Sequence, residues 1–209
     1  VLGTRYSVLS TRGNLNNHIG VPQTLLRLEK EHEVAVVEIG TNHPGEIAYL
    51  CGILEPTQGL ITNIGREHLE FFGTVEGVAS EEGALFGALK NTKNSRAFIN
   101  GDDVFVVAQS TGLRKSLRYG FGATRADVRG EIVGYTELGC ARMRITSRQR
   151  KTPLLVQLTV PGEPNAMNAL AAAAVGFAFD VPQTRIRAAL EGFIPASKRM
   201  EILSIKGVT

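Results

Sequence analysis

The chain has 209 residues, 43% of them hydrophobic and 21% charged, which is enough apolar material for a packed core and too much for a disordered tail. A net charge of +3, with no basic stripe interleaved with aromatics, points away from nucleic acid and is compatible with a polyanionic small molecule. No apolar run approaches the length of a membrane span, the N-terminus lacks a signal-peptide core, and Cys51 and Cys140 form no disulfide framework; two buried free thiols in the cytoplasm are expected.

Read in order, short apolar runs alternate with segments of helical spacing. NHIGVPQTLLRLEK reads as a helix before VAVVEIG at 34–40. GEIAYLCGIL follows as a helix, then the run GLITNIG at 59–65. TVEGVASEEGALFGALK reads as one helix over 74–90, and the runs RAFINGDD at 96–103 and LRYGFG at 117–122 come after it. Runs without strict alternation predict strands buried on both faces, and their alternation with helices predicts a parallel sheet. From about Asp127 the rhythm changes. ADVRGEIVGY, CARMRITSR and PLLVQLTVPG alternate polar and apolar residues with no helix between them, which predicts an antiparallel meander with one solvated face. An Ala-rich helix, NAMNALAAAAVGFAFD, and a second helix in VPQTRIRAALEGF follow, then a strand-like MEILSI. The fold class is therefore α/β: a mostly parallel sheet flanked by helices, with a small antiparallel subsheet.

Ligands of open parallel sheets bind beyond the carboxyl ends of the strands. Three runs end on polar residues: Glu38; Asn63 with His68 just beyond it; and Asn100, Asp102 and Asp103. If these strands are neighbours, a carboxylate, an amide and an imidazole face one crevice. Oxygen donors with one nitrogen suit Mg²⁺ or Mn²⁺, ions that accompany nucleotide phosphates. GNLNNHIGVP, residues 13–22, is a polar loop opening a helix. Its amides either cap that helix or hold a ligand. On the 74–90 helix, Val78, Glu82, Leu85, Phe86 and Leu89 share an arc, with Glu82 near its middle and Glu81 off to the side. A carboxylate there either snorkels, pairs with an arginine, or supplies negative charge to the crevice.

GNLNNHIGVPQTLL, AVVEIGTNHPGEI and ITNIGREHLEFFGTVEGVA, in that order and spacing, resemble the central domain of the Mur ligase family, with the NLNN and NHPGEI segments favouring its MurF type. The resemblance covers almost the whole chain. It implies a central domain over 1–196 and the start of a C-terminal ligase domain over 197–209. The implied reaction uses ATP and Mg²⁺. The peptide carboxylate of UDP-MurNAc-tripeptide is phosphorylated, and the amine of D-alanyl-D-alanine attacks the acyl phosphate. The implied partners are those two substrates and the N- and C-terminal ligase domains.

Position by position, Glu38 resembles a Mg²⁺-binding glutamate and His68 the histidine at a second Mg²⁺. Asn63 falls beside the phosphates, and Asn165 matches an asparagine near the adenine. Asn14, Asn16 and Asn17 match a loop near the UDP-MurNAc-peptide. Glu82 stands where the family has a carbamylated lysine, so Glu82 and His68 are the expected catalytic pair. The sequence departs from the pattern in other ways. It shows no GxxGKT/S phosphate loop, VLGTRYSVL looks like the end of the helix after such a loop, and Pro164 replaces a histidine. An inactive fragment of a ligase is expected; the alternative is a non-catalytic module that binds a nucleotide-sugar or a partner protein.

Overall fold

The computed structural model describes residues 1–195, in two compact units. The MEILSI run and the expected domain start at 197–209 lie outside the described residues. One unit is Tyr6–Leu117; the other joins Val1–Arg5 to the chain from Arg118 onward. The division falls ten residues before the change of rhythm expected near Asp127.

The Tyr6–Leu117 unit runs β1 (Val8–Ser10), α1 (Gly20–Leu25), β2 (Val34–Val36), α2 (Glu46–Leu54), β3 (Gln58–Ile61), α3 (Leu69–Phe72), α4 (Val75–Glu82), α5 (Ala84–Asn91), β4 (Arg96–Asn100) and α6 (Val104–Gln109). β3 and β4 are parallel, in register from Gln58 opposite Arg96 to Ile61 opposite Ile99. Ala97, Phe98, Ile99 and Asn100 are buried in succession, so β4 is covered on both faces, as its unbroken apolar run requires. Ile47, Cys51, Ile61, Val78, Phe86, Leu89 and Val106 close the core around it.

Three expectations change here. β2 does not adjoin β3: it pairs in parallel with β1, from Val8 opposite Val34 to Ser10 opposite Val36, in a separate two-stranded sheet. Nor is β2 buried on both faces, since Ala35 and Val36 are exposed. Within VLGTRYSVL, Leu2–Thr4 is a single 3₁₀ turn and Val8–Ser10 is a strand. Finally, the 74–90 helix is two helices divided at Gly83, which still joins both ladders by donating to the Ala79 carbonyl and accepting from Gly87.

In the other unit, β5 (Ser116–Gly120), where the chain passes from one unit to the other, pairs in parallel with β6 (Val128–Tyr135). β7 (Cys140–Ser147) and β8 (Leu154–Pro161) extend this as the expected antiparallel meander. Met143, Ile145, Leu154, Val156 and Leu158 are buried, while Arg142 and Arg144 on the other face bond to Gln157 and Glu131. α7 (Glu163–Ala178) buries Ala166, Ala169, Leu170, Ala173, Ala174 and Phe177, its alanines allowing a close helix–sheet approach, and α8 (Gln183–Glu191) completes the unit. The first residues are tied to this unit by Arg185 donating to the Thr4 carbonyl and Arg5 donating to the carbonyls of Phe179 and Asp180.

Candidate functional site

Glu38 lies two residues past β2, exposed and held from two directions. Its backbone N–H donates to Thr11 Oγ1 at 2.9 Å, and its Oε1 accepts from Asn16 Nδ2 at 2.9 Å. Asn16 also accepts the Gly40 N–H on its backbone carbonyl, at 2.9 Å. One asparagine therefore positions both the carboxylate and the backbone beyond it.

The three asparagines of the polar loop have separate tasks. Asn17 Oδ1 accepts the N–H groups of Ile19 and Gly20, capping α1. Asn14 gives its carbonyl to the Asn16 N–H at 2.8 Å, closing the turn that aims Asn16. Gly20 is required where the loop closes: a Cβ there would stand 2.4 Å from the Leu15 backbone.

Asn63 is pinned on both sides by residues from the end of β4. Asn100 Nδ2 donates to the Thr62 carbonyl at 2.8 Å, and Ile64 N–H donates to Asp103 Oδ2 at 2.8 Å. Asp103 meanwhile caps α6, accepting from Phe105 and Val106 on Oδ1. The second and third polar strand ends thus do meet, as expected for neighbouring strands. The Asn63 amide and the Glu67 carboxylate both turn toward Gly65. His68 is exposed and adopts a left-handed backbone, φ +51°, at the start of α3, an uncommon conformation for a residue other than glycine.

Of the two neighbouring glutamates on α4, the buried one is Glu81, 8% exposed; Glu82 is half-buried. Sequence spacing places them the other way round. Glu81 turns inward because the N-terminus of α2 and the loop before it supply donors: Gly45 N–H at 2.7 Å and Ile47 N–H at 2.8 Å, with the Thr41 hydroxyl 3.3 Å away. Burial, and the negative charges of Glu67 and Glu81, push the Glu82 carboxyl up to about 7. Sequence reasoning missed Glu67 altogether, although it directly precedes His68.

The structure therefore brings Asn16 to Glu38, and Asn63, Glu67 and Glu82 to one neighbourhood. The loop after Glu38 meets the helix after His68 through the rings of His43 and Phe71, whose centroids are 4.6 Å apart. Asn165 lies in the other unit, where its amide donates to the Pro161 carbonyl at 2.7 Å and fastens α7 to the end of β8.

Among the described residues, no three His, Cys, Asp or Glu side chains form a ready-made metal cluster. Mg²⁺ does not demand one, being commonly held by one or two carboxylates with water and phosphate completing the shell. The surplus negative charge that disfavours ionised Glu82 is what a hard cation would relieve. Glu67 and Glu82 supply oxygen donors of the type such an ion takes; Glu38, held by Asn16 beyond β2, and the exposed His68 form no three-donor group with them among the described residues. No helix among the described residues is long and apolar enough to cross a membrane.

A family model described as the Mur ligase middle domain matches residues 1–176. The chain is 38% identical over 186 residues to the UDP-N-acetylmuramoyl-tripeptide–D-alanyl-D-alanine ligase of Escherichia coli (strain K12), which covers 88% of this chain and 40% of that protein. The crystal structure of MurF from Acinetobacter baumannii is similar with a TM-score of 0.87 at 32% identity, covering 98% of this chain and 44% of that one. MurF ligase from Thermotoga maritima in complex with ADP is similar with a TM-score of 0.82 at 26% identity, covering 99% and 46%. The chain spans about two fifths of the length of the curated relatives it matches.

Proposed function

The chain belongs to the Mur ligase family as a middle domain, and from that membership we propose that it is the ATP-using core of a ligase joining D-alanyl-D-alanine to UDP-N-acetylmuramoyl-tripeptide in the cytoplasm. The observation that carries the reading is the 38% identity, over 88% of the chain, to a relative with that named activity. The ADP in the Thermotoga maritima relative supports a nucleotide as the energy source.

In this reading Glu38 and His68 are the metal-holding groups, and Asn16 keeps the Glu38 carboxylate aimed. Bound Mg²⁺ would supply the positive charge that offsets phosphate oxygens during phosphoryl transfer. Asn63, with its backbone fixed on both flanks, presents an amide donor to the phosphates. Glu82 holds the place of a carboxylate without any modified lysine, and with His68 it lines the reacting region. Asn14, Asn16 and Asn17 shape the loop facing the UDP-MurNAc-peptide, and Asn165 is the residue assigned to the adenine. The N- and C-terminal ligase domains complete the enzyme.

The test is a ligation assay on the longer polypeptide encoded by the reading frame around this chain. Phosphate release that requires both substrates, with formation of the extended peptide, is the expected result. Absence of product from a folded, ATP-binding protein would overturn the proposal. In that active protein, Glu82→Ala should weaken metal-dependent turnover; unchanged turnover removes Glu82 from the site.

A further inference from the structure

Helix α2 has no cap of its own: its N-cap is Gly45, at φ +90° and with no side chain to accept a hydrogen bond. The first-turn N–H groups of a helix need acceptors from somewhere. Glu81 supplies them from α4, 36 residues away along the chain at Gly45 and 34 away at Ile47, with one carboxylate oxygen on each. Glu46 does the same locally, accepting the N–H groups of Asn42 and His43 at 2.6 and 2.9 Å. Between them the two carboxylates hold the backbone N–H groups of Asn42, His43, Gly45 and Ile47, and the Thr41 hydroxyl, 2.9 Å from the His43 carbonyl, also lies 3.2 Å from Glu46 and 3.3 Å from Glu81.

That loop carries His43, whose ring packs at 4.6 Å against Phe71. Phe71 belongs to the one-turn helix that starts at His68, and the His68 carbonyl accepts the N–H groups of Phe71 and Phe72 at 2.9 and 3.1 Å. A one-turn helix has little stability of its own. The place of His68 therefore depends on what Phe71, Leu69 and Phe72 pack against, and Phe71 packs against His43.

We infer that Glu81 is a positioning residue: its buried carboxylate fixes the 41–47 loop and, through the contact of His43 with Phe71, sets the place of His68. The inference rests on the ligase reading for its catalytic consequence. Glu81 touches no substrate; it acts at a distance by holding a rigid support beneath a group that must be placed to within a fraction of an ångström.

The experiment uses the longer ligase and two variants. Glu81→Gln keeps the shape but puts an amide where an acceptor is needed. Phe71→Leu cuts the bridge at a half-exposed position without touching Glu81, and so remains informative if Glu81→Gln fails to fold. Both should lower kcat by roughly 10–100-fold while changing KM for ATP and for the peptide substrate less than about threefold. Independently of activity, the NMR signals of the His43 ring should lose their ring-current shift in both variants. Wild-type kcat in Phe71→Leu, or His43 signals that keep their wild-type ring-current shift in a folded Glu81→Gln, overturns the inference. If the wild-type protein itself fails to ligate, the function reading falls, and the His43 signals alone then decide whether Glu81 positions the loop.

Discussion

Asn16 Nδ2 and Glu38 Oε1 lie 2.9 Å apart, an amide and a carboxylate joined across 22 residues of sequence. The bond leaves Glu38 exposed yet fixed, the condition a cation-holding carboxylate needs. In the intact ligase, Asn16→Ala is expected to cut kcat/KM by roughly 10–100-fold. Asn16→Asp should be at least as damaging, because it sets a like charge beside Glu38. Steady-state kinetics across a Mg²⁺ titration measures both, and a loss below twofold in either would remove Asn16 from this role.

Glu82 makes stability depend on pH. Its carboxyl ionises near 7 in the folded chain and near the usual 4.5 when unfolded. Below 4.5 the group is neutral in both states and has no effect. Between 4.5 and 7 the unfolded chain sheds the proton while the folded protein keeps it, so stability falls across that window and levels off once the pH passes the folded value near 7. Glu82→Gln should therefore raise the melting temperature at pH 8 and leave it unchanged at pH 4.5. Calorimetry at the two pH values is the check; an equal shift at both would contradict the assignment.

Asp103 joins two elements with one side chain, capping α6 with Oδ1 and holding the Ile64 N–H with Oδ2. Asp103→Ala removes a cap worth about 1 kcal/mol and leaves a partly buried N–H without its acceptor, about 1–3 kcal/mol more. Asp103→Asn can keep the cap while turning its NH₂ toward Ile64, so it should lose only the second contribution. Urea unfolding of the three proteins, with amide exchange followed at Ile64, separates the two tasks.

Cys51 sits in the core between α2 and its neighbours, and burial pushes its thiol up to about 11. Thiol reagents attack the thiolate. At pH 8 the folded chain should therefore resist labelling at Cys51, with the labelling rate following unfolding as urea is added. Rapid modification in the absence of denaturant would show that the site is open.

Much of the fold was legible in the residue pattern. The unbroken apolar run at β4 marked a strand covered on both faces, and Ala97 to Asn100 are buried in succession. The alternation from 128 to 161 marked the meander, and its arginines do face outward. Less legible was the helix at 74–90, where Gly83 divides one apolar arc into two helices. β2 misled because an apolar run carries no mark of which strand it will pair with; it joined β1 and not β3.

Local periodicity, turn chemistry and the order of three motifs by themselves determined the α/β class, the meander and the family, because each depends on residues close together in the chain. Only the tertiary structure decided which of two adjacent glutamates is buried, which asparagine aims Glu38, and how Asn63 is held. Those outcomes rest on hydrogen bonds between groups 22 to 39 residues apart. A charged side chain goes inside where donors await it, and no periodicity along the chain records where distant donors will lie.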